Sequence, residues 1–220
     1  MGIFGKLFGG NTTQQEVSTP APANIPTPVQ SSSIDATTGL LNLNKGDILD
    51  LTKYSDSLTK VRAAAGWKVN AMGRDYDLDL CAYMLINGEV DSTVYYRDRN
   101  HRGIFLDGDN LTGSTGNNDD ENIHVNLQEL HPAVDEIVFA VVIYSAAERH
   151  QKFSNVKNAY MRLVDESNGK EICRYNLSED GGDNTAVKLA SLKKNANGNW
   201  SFHAIGEYSK NTIESLRRTL

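Results

Sequence analysis

Cysteine is scarce in this 220-residue sequence, and long hydrophobic runs are missing. Cys81 and Cys173 each lie inside a strand-like stretch, so we expect two buried free thiols of a reducing compartment and no framework of disulfide bridges. No apolar run reaches the roughly 18 residues that a transmembrane helix requires. The first residues lack the charged start, apolar core and cleavage pattern of a secretory signal, so we expect a cytoplasmic protein.

An excess of positive charge is also absent. The chain has 22 Lys and Arg against 28 Asp and Glu, which gives a formal net charge of -6. Residues 1–33 contribute only Lys6 and Glu16, so the whole acidic excess lies in the rest of the chain. Non-specific nucleic-acid binding depends on a basic face that neutralises phosphates, so we expect no nucleic-acid partner. An acidic chain is instead suited to concentrating cations.

Motifs of common catalytic and nucleotide-binding sites do not occur either. The sequence contains no G-x-S-x-G, G-x-x-x-x-G-K or H-E-x-x-H pattern. Residues 108–114 have glycines at phosphate-loop spacing but no lysine, and the histidines and cysteines lack zinc-ligand spacing. We therefore expect no enzymatic activity. An enzyme that uses a metal ion as a Lewis acid is the least favoured alternative.

Residues 1–33 are predicted to form a disordered tail, because residues 9–33 are rich in Thr, Gln, Pro, Ala and Ser. The first eight residues carry apolar side chains at helical spacing around Lys6, namely Ile3, Phe4, Leu7 and Phe8. They predict a short amphipathic segment that binds weakly to the inner face of a membrane or docks in the groove of a partner. A plain linker is the alternative.

Residues 34–220 predict a single β-rich domain, with the folded part beginning near Leu40. Over residues 75–86 the side chains alternate, which predicts a strand. One face carries Tyr76, Leu78, Leu80, Ala82, Met84 and Ile86, and the other carries Asp75, Asp77, Asp79, Cys81, Tyr83 and Leu85. Asn87 and Gly88 then predict a hairpin turn.

Further strand signals follow at regular intervals along the domain. Before Gly66, residues 48–51 and 58–62 predict two short strands separated by a polar turn, and the continuously apolar residues 137–144 predict a central strand. A short helix is expected within residues 146–156, and a last helix is expected to be capped by Ser209. About nine or ten short strands with little helix predict a mainly β fold, an antiparallel β-sandwich with few short helices.

An acidic stretch, residues 107–121, interrupts this pattern. It holds five carboxylates with no lysine or arginine, and a loop of such length is uncommon unless it is functional or disordered. Earlier in the chain, Asp75, Asp77 and Asp79 alternate along the predicted strand. Two such carboxylates, about 7 Å apart on one face, repel each other by roughly 2 kcal/mol at an effective dielectric of about 20.

A hard divalent cation between the two acidic clusters would relieve this repulsion. Calcium takes about six to eight oxygen ligands, so we predict a calcium site made from the strand and the loop. The EF-hand pattern is excluded, because Leu80 stands where that loop needs Gly and Ile86 where it needs Glu. For either cluster alone, a solvated acidic face is the alternative. The candidate ligands are Asp75, Asp77, Asp79, Asp109, Asn110, Thr112, Asp119, Asp120 and Glu121.

Several motifs, in order from about Leu40 to the C-terminus, resemble the TerD family of bacterial tellurium-resistance and general stress proteins. The matching residues are Lys60-Val61-Arg62 with Gly66-Trp67, DYDLD at 75–79, GDNLTG at 108–113, Asp119-Asp120-Glu121, and RYNLSED at 174–180. The resemblance implies a β-sandwich that binds calcium through both acidic clusters. It also implies a role in stress or tellurite resistance, beside other stress or tellurium-resistance proteins at the membrane. The segment formed by residues 114–118 is longer and less acidic than the corresponding segment of that family. This difference implies that one of two expected ions binds weakly or not at all.

Two functions therefore follow from the sequence. The first is a non-enzymatic calcium-binding stress-response protein, in which the ion links the strand to the loop and stabilises a surface for a partner. The second is a calcium-assisted membrane or ligand adaptor that uses residues 1–8. The sequence specifies neither the partner, nor the number of ions, nor the oligomeric state.

Overall fold

The computed structural model describes residues 1–2, 33–34, 40–54, 58–69, 76–108, 119–177 and 181–220. These residues form fourteen strands and two short α-helices, α1 (Ala146–Arg149) and α2 (Ile213–Leu216). The strands are β1 (Ser33–Ile34), β2 (Leu41–Leu43), β3 (Ile48–Asp50), β4 (Lys60–Val69), β5 (Leu78–Ile86), β6 (Glu89–Val94), β7 (Asn100–His101), β8 (Ile104–Asp107), β9 (Glu121–Asn126), β10 (Glu136–Ile143), β11 (Val156–Asp165), β12 (Lys170–Asn176), β13 (Ala186–Lys194) and β14 (Trp200–Ser209). Short 3₁₀ turns occur at Leu51–Lys53 and Phe153–Asn155.

The strands form two sheets that pack against each other. One sheet has the order β1-β2-β12-β11-β4-β9-β8-β7, and the other has the order β3-β14-β13-β10-β5-β6. The pairing of β12 with β2 is parallel, and the other strand pairs described are antiparallel. The core between the sheets includes Ile137 and Phe139 from one sheet and Ile123 and Leu163 from the other. The predicted mainly β sandwich is therefore confirmed.

Strand β5 is covered on both faces from its first residue. Leu78, Leu80 and Met84 belong to the core between the sheets. On the outer face, Cys81, Tyr83 and Leu85 pack in a second apolar cluster that includes Leu216 of α2. The Tyr83 hydroxyl donates a hydrogen bond to the Ile213 carbonyl at 3.0 Å and so ties α2 to the sheet. The outer face of β5 is thus closed by the C-terminal segment.

Two local predictions were wrong, each for a tertiary reason. β4 continues through Gly66 and does not end before it. Glycine is needed inside the strand because a Cβ at that position would lie 2.5 Å from the Tyr160 hydroxyl. Ser209 ends β14 and does not cap the last helix. The cap is Thr212, which accepts a hydrogen bond from the Ser215 amide while its own amide donates to the Ser215 hydroxyl.

Other features agree with the sequence or lie outside the described residues. Cys81 and Cys173 are free and buried, as predicted. None of the helices described is long and apolar enough to cross a membrane. Residues 3–32, which include the predicted amphipathic segment and most of the linker, lie outside the described residues. The adaptor hypothesis that depends on residues 1–8 therefore stays a prediction.

Candidate functional site

Two acidic side chains are buried at the start of β5. Asp77, which immediately precedes β5, is 8% exposed. Asp79, on the outer face of β5, is 4% exposed. The Tyr144 amide donates to the Asp77 carbonyl at 2.8 Å, and Asp79 pairs with Val142 of β10. Both positions are therefore fixed by the sheet. Arg149 Nη1 lies 3.9 Å from Asp77 Oδ2 and provides one neighbouring positive charge.

Three consecutive carboxylates at the start of β9 have three different partners. Asp119 Oδ2 accepts hydrogen bonds from two arginines, whereas Asp120 Oδ2 accepts one from the Trp67 amide at 2.8 Å. Glu121 Oε2 accepts a hydrogen bond from the Leu80 amide at 2.5 Å. Glu121 is 1% exposed. The sequence placed all three in one ligand cluster, but the structure gives them separate contacts.

The contact of Glu121 with Leu80 joins the two sheets. Glu121 pairs with Ala65 in the eight-stranded sheet, whereas Leu80 lies on β5 of the other sheet. The described pairing of β6 with β5 begins only at Ala82, so the Leu80 amide lies beyond that ladder. A buried amide without an acceptor is destabilising, and the Glu121 carboxylate supplies the acceptor. The second acidic cluster is thereby held against the strand that carries the first.

Cys81, which follows Leu80 on β5, is influenced by one carboxylate of each cluster. The pKa of its thiol is raised to about 12, mainly by burial; the Tyr83 hydrogen bond lowers it, and the negative charges of Asp79 and Glu121 raise it. Asp79 comes from the first cluster and Glu121 from the second. Both charges therefore act on one buried group of β5. Within the described residues, one carboxylate of each cluster therefore lies near Cys81, and a common ligand site stays a prediction.

Asp119 lies on the outer face of the eight-stranded sheet, in an arginine cluster that we define as Arg62, Arg162, Arg174, Asp119 and Glu171. Arg162 Nε and Nη2 donate to the two Asp119 carboxylate oxygens at 2.8 and 2.6 Å. Arg62 Nη1 lies 3.0 Å from Asp119 Oδ2. Because two guanidinium groups surround this carboxylate, a metal cation would be repelled there. Asp119, predicted as a calcium ligand, is instead the partner of two arginines.

The arginine cluster extends from Asp119 to strand β12. Arg162 also donates to Glu171 at 3.0 Å, and Arg174 donates to the same carboxylate at 2.9 and 3.0 Å. The Arg174 guanidinium lies 4.3 Å from the centre of the Tyr160 ring, and the Tyr160 hydroxyl donates to Asp119. No local sequence pattern predicted this cluster. The sequence shows only that strand-like segments carry opposite charges. These charges meet because of the register in which the strands pair, and that register is a tertiary property.

Replacing Arg162 with Met is expected to reduce stability and to flatten its dependence on acid. Burial would raise the pKa of Asp119, but the hydrogen bonds and charge of Arg162 outweigh that effect and hold the pKa below its usual 3.8. A carboxyl whose pKa is lower in the folded state stabilises the fold above its unfolded pKa, and this contribution is lost as the pH falls through the folded value. The wild type should thus lose free energy of unfolding as the pH falls below about 4.

Urea unfolding as a function of pH measures this effect. At neutral pH we expect Arg162→Met to lose about 2 kcal/mol, between the values for exposed and for fully buried ion pairs. Arg218→Met, at an exposed position, serves as the matched control and should change little. A neutral-pH stability equal to that of the control, with the acid dependence of the wild type retained, would show that the arginine cluster contributes nothing.

The described residues form an incomplete metal site on their own. No group of three His, Cys, Asp or Glu side chains within the described ranges is arranged to hold a metal ion. Four predicted ligands, namely Asp75, Asp109, Asn110 and Thr112, lie outside those ranges. The donors that the sequence supplies are all oxygen atoms, the type that calcium prefers. In chemical type, the residues present therefore fit a hard divalent cation.

A family comparison and comparisons with individual proteins agree with one another. The TerD domain family matches residues 40–219. General stress protein 16U of Bacillus subtilis is 38% identical over 174 residues, which cover 76% of this chain and 89% of that protein. The tellurium resistance protein TerD of Serratia marcescens is 35% identical over 174 residues, which cover 76% of this chain and 90% of that protein. The chemical-damaging agent resistance protein B of Clostridium acetobutylicum is 35% identical over 136 residues, which cover 61% of this chain and 96% of that protein.

Solved structures show the same fold. A homologue of the telluride resistance protein TerD from Streptomyces coelicolor A3(2) superposes with a TM-score of 0.60 at 19% identity, covering 73% of this chain and 96% of that one. SAV2460, a protein of unknown function, gives a TM-score of 0.60 at 22% identity and covers 73% of this chain and 95% of that one. At these identities the likeness concerns the fold alone.

Proposed function

This chain belongs to the TerD domain family, and from that premise we propose that it is a stress-response protein that acts in resistance to tellurite or to other chemical stress. The names of its relatives support this proposal, because they are tellurium-resistance, general stress and chemical-damage resistance proteins. A non-enzymatic role in the cytoplasm is part of the same proposal. The buried free thiols of Cys81 and Cys173 are compatible with a reducing compartment.

The finer proposal is that this chain binds calcium between the start of β5 and the acidic stretch that precedes β9. The observation that supports it is the contact of a buried carboxylate of the second cluster with the strand that carries the first. Asp77, immediately before β5, and Asp79 on β5 are buried, and Glu121 of the other sheet contacts the next residue, Leu80. Burying several carboxylates together is costly without an opposing charge, and a bound divalent ion would supply that charge.

The residues of the two clusters have two different roles in this proposal. Asp75, Asp77, Asp79, Asp109, Asn110 and Thr112 would supply ligands. Asp120 and Glu121 accept hydrogen bonds from the backbone of β4 and β5, so they would hold the end of the acidic stretch beside those ligands. A bound ion would stabilise the surface on which the acidic stretch lies. The partner proposed for that surface is another stress or tellurium-resistance protein.

Thermal unfolding of the full chain in EDTA, in calcium and in magnesium tests this proposal. An ion that binds only the folded state stabilises it by RT ln(1 + [L]/Kd), which is about 4 kcal/mol at roughly 1,000 times Kd. We expect a large rise of the midpoint with calcium. The rise with magnesium should be small, because magnesium demands a near-ideal octahedral site and gives up its water reluctantly. Equal midpoints in calcium and EDTA would remove the ion from the account.

A further inference from the structure

A cavity of about 540 Å³ opens on the outer face of the six-stranded sheet, beside Asp79. Its walls come mainly from three parts of the chain, namely the residues after β6, the end of β10 with α1, and the segment that leads into α2; Asp79 and Thr185 complete the lining. Small-molecule sites in proteins typically measure about 300–1,000 Å³ and are mostly apolar with a few polar groups. The size and the mixed lining of this cavity therefore suit a small organic molecule.

Tyrosines form one wall of the cavity. Tyr95 and Tyr96 pack edge to face with ring centres 5.4 Å apart, and Tyr96 packs in the same way on Tyr144 at 5.7 Å. Guanidinium groups already lie over two of these rings: Arg97 is 5.3 Å from the centre of Tyr96, and Arg149 is 5.0 Å from the centre of Tyr144. Tyrosine faces attract cations through the ring quadrupole. Because these two faces each hold a cation already, the wall offers its remaining aromatic surface to the apolar part of a ligand.

The charges of the residues that line the cavity favour a cationic ligand. Asp79, which is 4% exposed, is the buried charge of the cavity. The exposed side chains of Glu148 and Glu214 add two further carboxylates, against the two cations Arg97 and Lys210. An anionic ligand would have to approach the buried Asp79 carboxylate, which is unfavourable in a partly desolvated site. A cationic ligand would be attracted to it.

The backbone around α1 is held in an uncommon conformation beside the cavity. Ser145, which lines the cavity, has φ 48°, and His150 at the other end of α1 has φ 53°. Residues other than glycine adopt this left-handed region rarely, at a cost of about 1 kcal/mol or more, and such residues cluster at ligand-binding sites. The strain is consistent with a wall that is shaped for a ligand.

We propose that this cavity binds an amphipathic organic amine. The apolar body of the ligand packs against the tyrosine wall and the aliphatic side chain of Val142. Its ammonium group lies towards Asp79 and the acidic rim formed by Glu148 and Glu214. The proposal requires no calcium ion. Because Asp79 also belongs to the proposed calcium site, its test uses metal-free protein.

Three indole compounds of matched size and different charge serve as probes: tryptamine, tryptophol and indole-3-acetate. Their dissociation constants are measured by ligand-observed NMR titration of the full chain in EDTA. We expect tryptamine to bind at least about tenfold more tightly than neutral tryptophol, a difference that corresponds to about 1.4 kcal/mol. Anionic indole-3-acetate should bind most weakly. No binding of tryptamine, equal binding of all three compounds, or tightest binding of the anion would each overturn the proposal.

Two variants place the binding in the cavity. Ala147→Trp adds a large side chain at an exposed position of the lining, whereas Ala133→Trp adds the same side chain at an exposed position outside it. The first should weaken tryptamine binding by at least about tenfold, and the second should not change it. Equal effects would contradict the site. Thermal unfolding of both variants shows whether each is folded.

A charge variant gives a second and milder test. Glu214→Gln removes one rim charge at an exposed position and should weaken tryptamine binding several-fold without changing the affinity for tryptophol. A loss for both compounds, or for neither, would contradict the role of charge. The calcium measurements use no amine, so failure of this proposal and failure of the calcium proposal can be told apart.

Discussion

The double variant Asp77→Asn/Asp79→Asn is expected to bind calcium at least about a hundredfold more weakly than the wild type, which corresponds to about 2.7 kcal/mol. The substitution keeps the shape of both buried side chains and removes two negative charges from the proposed site. Two unit charges at about 4 Å interact by roughly 4 kcal/mol at an effective dielectric of about 20, so losing two carboxylates beside a divalent ion has a large effect. Calcium titration calorimetry measures the affinity.

A matched control separates this local effect from a change in net charge. Asp91→Asn/Asp98→Asn removes the same charge from two exposed positions, so its calcium affinity should stay close to that of the wild type. In EDTA, the Asp77→Asn/Asp79→Asn protein should remain folded, because its backbone contacts with β10 are unchanged. If both double variants bind calcium as well as the wild type, the site assignment at β5 is wrong.

Replacing Glu121 with Leu should lower the free energy of unfolding by about 2–3 kcal/mol, measured by urea unfolding in EDTA. Leu approximates the apolar part of the side chain but offers no acceptor to the Leu80 amide, which Glu121 Oε2 contacts at 2.5 Å. A hydrogen bond to a charged group contributes about 1.5–3 kcal/mol, and an unsatisfied buried donor is destabilising by about 1–3 kcal/mol. The loss therefore measures the link between the two sheets.

Glu121→Gln is the matched control for that measurement. Its amide oxygen can still accept a hydrogen bond from Leu80, so the loss should be about 1 kcal/mol or less. Equal losses for Leu and Gln would mean that the negative charge, and not the hydrogen bond, stabilises this contact. Wild-type stability in both variants would mean that Glu121 does not hold the sheets together.

The alternation in β5 shows how much of the fold the sequence predicts. Strict period two placed Leu78 and Leu80 in the core, and it placed Cys81 and Tyr83 together on the outer face. The hairpin between β5 and β6 was also predicted, because Asn87 and Gly88 are suited to the left-handed backbone that they adopt. These features depend on residues close together in the chain, so local patterns suffice to predict them.

The contacts of Asp119 show where local patterns fail. The sequence gives three adjacent carboxylates and no information on which of them meets a cation. Arg162 is 43 residues away in the chain, and it reaches Asp119 because β11 lies beside β4 and β4 beside β9. The cavity was missed for the same reason, because Tyr96, Tyr144 and Glu214 come together only in the tertiary structure. The order and register of strands decide both sites.

Equilibrium dialysis of the metal-stripped full chain against calcium, with the bound metal measured directly, tests the central claim of this account. We expect saturable binding of at least one calcium ion per chain, and the binding should be greatly reduced in the Asp77→Asn/Asp79→Asn variant. Excess magnesium should displace little of the bound calcium, because the two ions differ in size and in the geometry they require. A folded chain that retains no calcium after dialysis would contradict the account, and the acidic residues of β5 and β9 would then serve the fold alone.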